Sequence, residues 1–316
     1  MRSGAPARAG TVAAAAAFFL WGLFPLYWKM LAAVPAVEVV AHRTAWGFVA
    51  VAAWVTLRHR WTDARAVASS PGTVARLAGS AVLIALNWLL YVWAVAHDHV
   101  VEASLGYFIN PLVNVLLGVL VLRERLSRAQ RIAVVLAAAG VAVLTAGHGR
   151  LPWIALALAV SFGLYGLARK TVAADAVVGL LWETAILAPV ATTFLVLLEI
   201  RGDGAFGTAG PAASALLALG GPVTAVPLVL FALGARALPL STVGLLQYLS
   251  PSLQFLLAVL VFREPFTATH AAAFACIWTA LAVLTWELRR RLRHERVAVR
   301  SPAQNLPTPH PEDGTP

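Results

Sequence analysis

Charge is what this chain has least of. Only 12% of its 316 residues are Asp, Glu, Lys or Arg, about half the share carried by a soluble domain. Such a chain cannot dress a globule in an ordinary water-facing surface. Cysteine is nearly missing too. Cys276 stands alone inside an apolar block, so neither an intramolecular disulfide nor a cysteine-built metal site can form. HExxH, the phosphate-loop lysine signature and GxSxG do not occur, and with them go the common hydrolase and nucleotide-binding readings. No enzyme activity and no cofactor are expected. His97, Asp98, His99 and Glu102 could bind a metal weakly, but a solvated loop is the better reading.

What fills the chain instead is apolar. Hydrophobic residues make up 60% of it and mean hydropathy is +0.79, which identifies an integral membrane protein. The net charge of +10 would suit nucleic acid. However, the cations sit in short runs between apolar blocks and in RRRLRHERVAVR, residues 289–300, a distribution that anionic cytoplasmic lipid explains. A lipid bilayer and no nucleic acid are the expected partners.

A helix crosses the hydrocarbon core in about 20 apolar residues. Ten such blocks stand at roughly 11–31, 36–57, 73–96, 103–122, 129–147, 151–170, 176–199, 211–235, 240–262 and 268–288. They are uniformly apolar rather than alternating, so helices and not barrel strands are expected. The first follows Arg2 and Arg8 as a signal sequence would, yet it is long enough to span and belongs to the repeat described next, so it is read as retained.

The chain is duplicated. GYFINPLVNVLLGVLVLRERLS (106–127) is answered by LQYLSPSLQFLLAVLVFREPFT (246–267) at an offset of 140. Pro111 and Arg123-Glu124 meet Pro251 and Arg263-Glu264. Upstream, WGLFPLYWK (21–29) lies over FGLYGLARK (162–170) at an offset of 141. One domain-length duplication follows, 11–147 and 151–288. Residues 1–10 precede it, and a basic then Pro-rich tail, 289–316, follows it and reads as disordered toward its end.

Orientation comes from the lysines and arginines. With the N-terminus inside, 19 of the 24 fall on the inner side, and both termini are cytoplasmic. Five helices per half is an odd number, so the second half enters the membrane inverted relative to the first. The expected fold is an all-α integral membrane protein of ten transmembrane helices in an inverted 5+5 repeat, as in many secondary transporters whose sites lie between the repeats.

Ionisable groups within spans are costly and point to function. Helix 2 offers Glu38, His42 and Arg43. Glu38 and His42 share a face, and His42 lies about 10 Å from the helix start. Glu183 of helix 7 falls on His42 at the 141-residue offset. These four are read as substrate or coupling groups, with a structural ion pair or a snorkelling terminus as the alternative. Lys29 and Lys170 end helices 1 and 6, as gates or as snorkelling residues. Polar groups gather around the prolines of helices 4 and 9, both read as mid-helix: Tyr107, Asn110 and Asn114, then Gln247, Tyr248, Ser250 and Gln254. A proline there frees a backbone carbonyl, and the side chains either line a cavity or bond between helices. Helix 3 adds Asn87, Trp88, Tyr91 and Trp93. Trp21, Trp28, Trp46, Trp54 and Trp61 read as interface-belt or packing residues.

FFLWGLFPLYWKMLAAVPAVEVVAHRTAW and NWLLYVWAVAHDHVVEASLGYFINPLVNVLLGVLVLRERLS resemble the RarD-type members of the EamA family, in the drug/metabolite transporter superfamily. WGLFPLYWK, AHR, NPLVN and the duplicated Arg-Glu carry the resemblance, which runs from about residue 11 to 287. The one departure is Pro265 where the first half has Arg125. The resemblance implies ten helices, the inverted repeat, and a multi-pass permease of the bacterial inner membrane with a historical label of chloramphenicol sensitivity. Its solute would be a small organic metabolite or drug, exported by alternating access. Helices 5 and 10 would join the halves or make a homodimer contact. A non-transporting scaffold or sensor is the rival reading.

Overall fold

The computed structural model describes residues 4–122, 126–170, 172, 174–237 and 246–300. The first apolar block is not one rod. Helix α1 (Gly4–Gly22) stops at Leu23, and α2 (Phe24–Lys29) restarts with Pro25 in its first turn, where the missing N–H is harmless. Then come α3 (Ala36–Leu57), α4 (Trp61–Ala68), α5 (Pro71–Ala96), α6 (Val100–Leu122) and α7 (Arg128–His148). The second half holds α8 (Trp153–Lys170), α9 (Ala176–Arg201), α10 (Pro211–Ala237), α11 (Leu249–Leu256, continued by a π-turn at Leu257–Val261) and α12 (Ala268–Arg300). Among the described residues seven helices are long and apolar enough to cross a membrane. The short α4 lies where the sequence suggested only a loop, and its backbone binds the second half through Trp182 Nε1, which donates to Ala64 O at 3.0 Å.

Helix ends follow local chemistry. Ser127 and Gln130 form a reciprocal capping box on α7, and Gly149 and Gly202 close α7 and α9 at φ of 65° and 75°, a conformation glycine adopts freely. Pro111 lies inside α6 as expected. Pro251 does not share that setting. Gln247 and Tyr248 form a turn, α11 begins at Leu249, and Pro251 falls in its first turn, where a proline frees no interior carbonyl. The mid-helix reading is therefore corrected for the second half. The backbone of α12 continues through the basic run to Arg300.

The principal packing pairs are α1 with α10 and α11, α3 with α9 and α10, α5 with α8 and α9, α6 with α8 and α11, and α7 with α12. Close approach is made by small residues. A Cβ on Gly106 would lie 2.7 Å from Ala155 O, so α6 and α8 nearly touch, and one on Gly221 would lie 2.3 Å from the Trp46 carbonyl carbon, so α10 lies directly on α3. The main apolar core runs from Trp28, Val39 and Tyr91 through Leu105, Phe108 and Leu158 to Phe274 and Ile277. Many large apolar residues instead face outward, among them Leu120, Val190, Ile200 and Leu260, as they must on helices solvated by lipid.

Candidate functional site

Gly221 lets α10 lie so close to α3 that Thr224 reaches Arg43: Arg43 Nε donates to Thr224 Oγ1 at 2.9 Å. Arg43 is 5% exposed, and its guanidinium is held over indole rings. It lies 3.7 Å from the ring centre of Trp88 and 5.4 Å from that of Trp28, geometry favourable for a cation over an indole face. Tyr91 and Tyr107, packed edge to face at 5.6 Å, are within electrostatic reach of it. Among the described residues no carboxylate lies within 4 Å of Arg43. Trp28 is buried at this centre, which favours packing of the two readings it was given.

Glu183 forms a second centre, on α9. Its Oε1 accepts from Ser80 Oγ at 2.6 Å and its Oε2 from Tyr165 Oη at 3.3 Å. Arg169 Nε stands 3.7 Å from Oε1. His42 does not take part. It stacks on Phe206 at 5.1 Å, and both its ring nitrogens are buried without a partner among the described residues. Glu38, one turn earlier, accepts from Ala205 N at 2.6 Å. The shared face of Glu38 and His42 thus grips the connection between α9 and α10, and that pair is not brought to Glu183.

The remaining polar candidates bind helices to each other. Asn87 Nδ2 donates to Leu158 O at 3.0 Å and Ser161 Oγ at 2.9 Å, joining α5 to α8. Gln254 Nε2 donates to Trp21 O and Ser250 Oγ, each at 3.2 Å. Among the described residues the Oδ1 atoms of Asn87 and Asn110 and the Oε1 of Gln254 are buried without partners. Asn114 is exposed, and Gln247 and Tyr248 are half-buried. Lys29 Nζ pairs with Asp98 at 2.6 Å and donates to Val95 O at 3.2 Å, so it fastens α2 to the end of α5. The side chain of Lys170 lies outside the described residues, as do Arg123 and Glu124.

Two charged fastenings lie beyond the spans. Asp175 caps α9, accepting from Val177 N at 2.9 Å and Val178 N at 3.0 Å through Oδ1, while Oδ2 accepts from Arg60 of the first half. Partial burial pushes the Asp175 carboxyl up, but Arg60 and the two N–H groups outweigh it and hold it below the usual carboxylate value. The same bond to Asp175, helped by Asp63, raises Arg60. On the other side Glu264 accepts from Val100 N at 2.7 Å and Val101 N at 2.8 Å, capping α6. Burial pushes its carboxyl up against the pull of those two bonds. His97, Asp98, His99 and Glu102 do not converge, and among the described residues no three metal-binding side chains share a site. Glu102 instead accepts from Ile154 N at 3.1 Å.

Arg169, Ser80 and Thr224 were not anticipated. Arg169 counted only as an inner-side charge. The one signal that could have found it is the duplication: at the 141-residue offset Arg169 answers Trp28, and Glu183 and Thr184 answer His42 and Arg43. A residue at the same position on the first helix of each half thus reaches a charge on the second.

Comparison with known proteins agrees with this architecture. The EamA-like transporter family matches residues 8–146. The uncharacterized transporter YojE of Bacillus subtilis (strain 168) is 42% identical over 289 residues, spanning 89% of this chain and 95% of that one. Protein RarD of Streptomyces exfoliatus is 43% identical over 299 residues, 95% of each chain, and protein RarD of Escherichia coli (strain K12) is 44% identical over 280, spanning 89% and 95%. A solved crystal structure superposes with a TM-score of 0.59 at 23% identity, over 89% of this chain and 98% of that one, a likeness of fold alone. The chain belongs to the EamA-like transporter family, among its RarD-type permeases.

Proposed function

We propose that the protein is a secondary carrier that exports a small organic solute across the bacterial inner membrane by alternating access. In this reading ten spanning helices form two inverted halves, both termini are cytoplasmic, and the halves rock about a shared centre. The observation that carries it is the packing pattern. Exchange α1 with α8, α3 with α9, α5 with α10, α6 with α11 and α7 with α12. The pair α1–α10 becomes α8–α5, α3–α10 becomes α9–α5, and α6–α8 becomes α11–α1, while α3–α9, α6–α11 and α7–α12 map onto themselves. A packing set closed under exchange of the halves is what a two-state rocking bundle needs, because the same contacts can serve both faces in turn. The α7–α12 pair would hold the halves together, with a homodimer contact on its outer side. Buried Arg43, Glu183 and His42 supply recognition or coupling groups.

The test has two stages. A metabolite and drug uptake screen in cells with and without the gene identifies solutes, and counterflow of a labelled solute in proteoliposomes separates a carrier from a scaffold or sensor. Glu183→Gln and His42→Ala are expected to abolish counterflow while expression survives. Wild-type rates in both would remove those residues from the mechanism, and no counterflow of any solute would overturn the carrier.

A further inference from the structure

The two buried charges are treated in opposite ways. Glu183 is saturated, with Ser80, Tyr165 and Arg169 all directed at its oxygens. Arg43 is left open. Of its five N–H donors, Thr224 takes one, and among the described residues the guanidinium has neither a further hydrogen-bond partner nor a counter-ion. Two indole faces and a hydroxyl fix its position without neutralising it, whereas a buried charge is ordinarily paired. The surroundings are short of acceptors as well. Trp28 Nε1 and the Tyr91 hydroxyl, both on residues more than nine-tenths buried, have no partner among the described residues.

We infer that the Arg43 cluster is the anion subsite of the solute path and that the carried solute is a monocarboxylate with a flat apolar or aromatic body. This rests on the carrier reading and names its substrate class. The guanidinium's unused N–H groups offer the parallel donors that a carboxylate accepts two at a time. The Trp28 ring, 5.4 Å from the guanidinium, carries a further donor in its Nε1. One arginine matches one negative charge, and a phosphate monoester would leave charge unmatched in a buried site. Trp88 under the guanidinium and the Tyr91–Tyr107 pair make the surroundings aromatic, which suits a flat apolar body.

The experiment uses the purified full-length protein and a panel of aromatic and aliphatic monocarboxylates, each beside its primary amide, which keeps the shape and loses the charge. Thermal melting is expected to rise saturably with at least one aromatic carboxylate and not with its amide. Arg43→Gln should abolish the shift. Should Arg43→Gln fail to fold, Trp28→Phe keeps the ring, removes the N–H, and is expected to weaken carboxylate affinity several-fold. Equal shifts by amides, an undiminished shift in either variant, or no response to any carboxylate would overturn the subsite. Counterflow separates this from the carrier reading. If carboxylate binds through Arg43 but does not move, the subsite stands and the carrier falls. If only neutral or cationic solutes move, the carrier stands and the subsite falls.

Discussion

Arg169 stands to Glu183 as Trp28 stands to Arg43. In the two contacts, an ion pair at 3.7 Å and a cation over a ring at 5.4 Å, Trp28 and Arg169 stand 141 residues apart, while Arg43 and Glu183 stand 140 apart. The meeting place is kept to within one residue and the chemistry is changed. One half presents an open cation and the other a fully bonded carboxylate.

The Arg169–Glu183 pair depends on a glycine. A Cβ on Gly179 would fall 1.8 Å from Arg169 Nη1, so Gly179→Ala must push the guanidinium aside. Displacing the guanidinium weakens its ion pair with Glu183 and its bond to Asp175 O, a loss set against a gain of at most about 1 kcal/mol for Ala over Gly inside a helix. Gly179→Ala is therefore expected to lower the unfolding free energy of the native protein. In an Arg169→Ala background the clash is gone, and the same change should become stabilising. Equal effects in both backgrounds, measured as a double-mutant cycle in detergent, would show that glycine does not serve the arginine.

Glu264 explains half of the repeated Arg-Glu signature. Arg263 takes a left-handed conformation, φ 55°, ending the π-turn so that Glu264 swings back to cap α6 with both oxygens. Glu264→Ala should cost about 0.5–2 kcal/mol, the usual loss for a helix N-cap. Arg263→Gly removes the left-handed penalty and should gain about 1 kcal/mol. A neutral Glu264→Ala in equilibrium unfolding would refute the cap.

Asp175 gives an acid-side prediction. Its carboxyl is held below its ordinary value of 3.8 in the folded protein, so its contribution is full above that value and lost as pH falls through the lower folded one. Asn caps a helix nearly as well as Asp but cannot pair with Arg60. The melting temperature of the native protein should therefore fall more steeply than that of Asp175→Asn as pH is lowered from 7 to below 4. Parallel curves would mean that the Arg60 pair contributes nothing.

The apolar blocks were legible because lipid, not tertiary context, demands them: a run of about 20 apolar residues has few other uses. The duplicated segments were legible because proline and Arg-Glu at fixed spacing do not recur by composition. Contacts across sequence distance were not. Nothing local to Phe206 says that it stacks on His42, and nothing local to Arg169 points to Glu183. The break at Leu23 and the turn at Gln247–Tyr248 interrupt stretches whose apolarity continues unchanged, so hydropathy does not register them. Trp28 was left between belt and packing because tryptophan near a span end is usually interfacial, and nothing local to it points to Arg43, over which its ring lies.

Orientation tests the inverted halves directly. Nineteen of 24 lysines and arginines fall on one side when the N-terminus is placed inside, and the ten spans proposed would return the chain to the side it started from. Alkaline phosphatase fused at either end should be inactive and a fluorescent-protein fusion bright, since the first folds only outside and the second only inside. Phosphatase inserted in the connection after Gly149, between the two halves, should be active, because five spans separate it from the N-terminus. That middle fusion is the decisive one. Two parallel halves of even span count would also return both ends to the cytoplasm, but would leave residue 149 inside. Inactive phosphatase there would exclude the inverted arrangement even with both termini where they are expected.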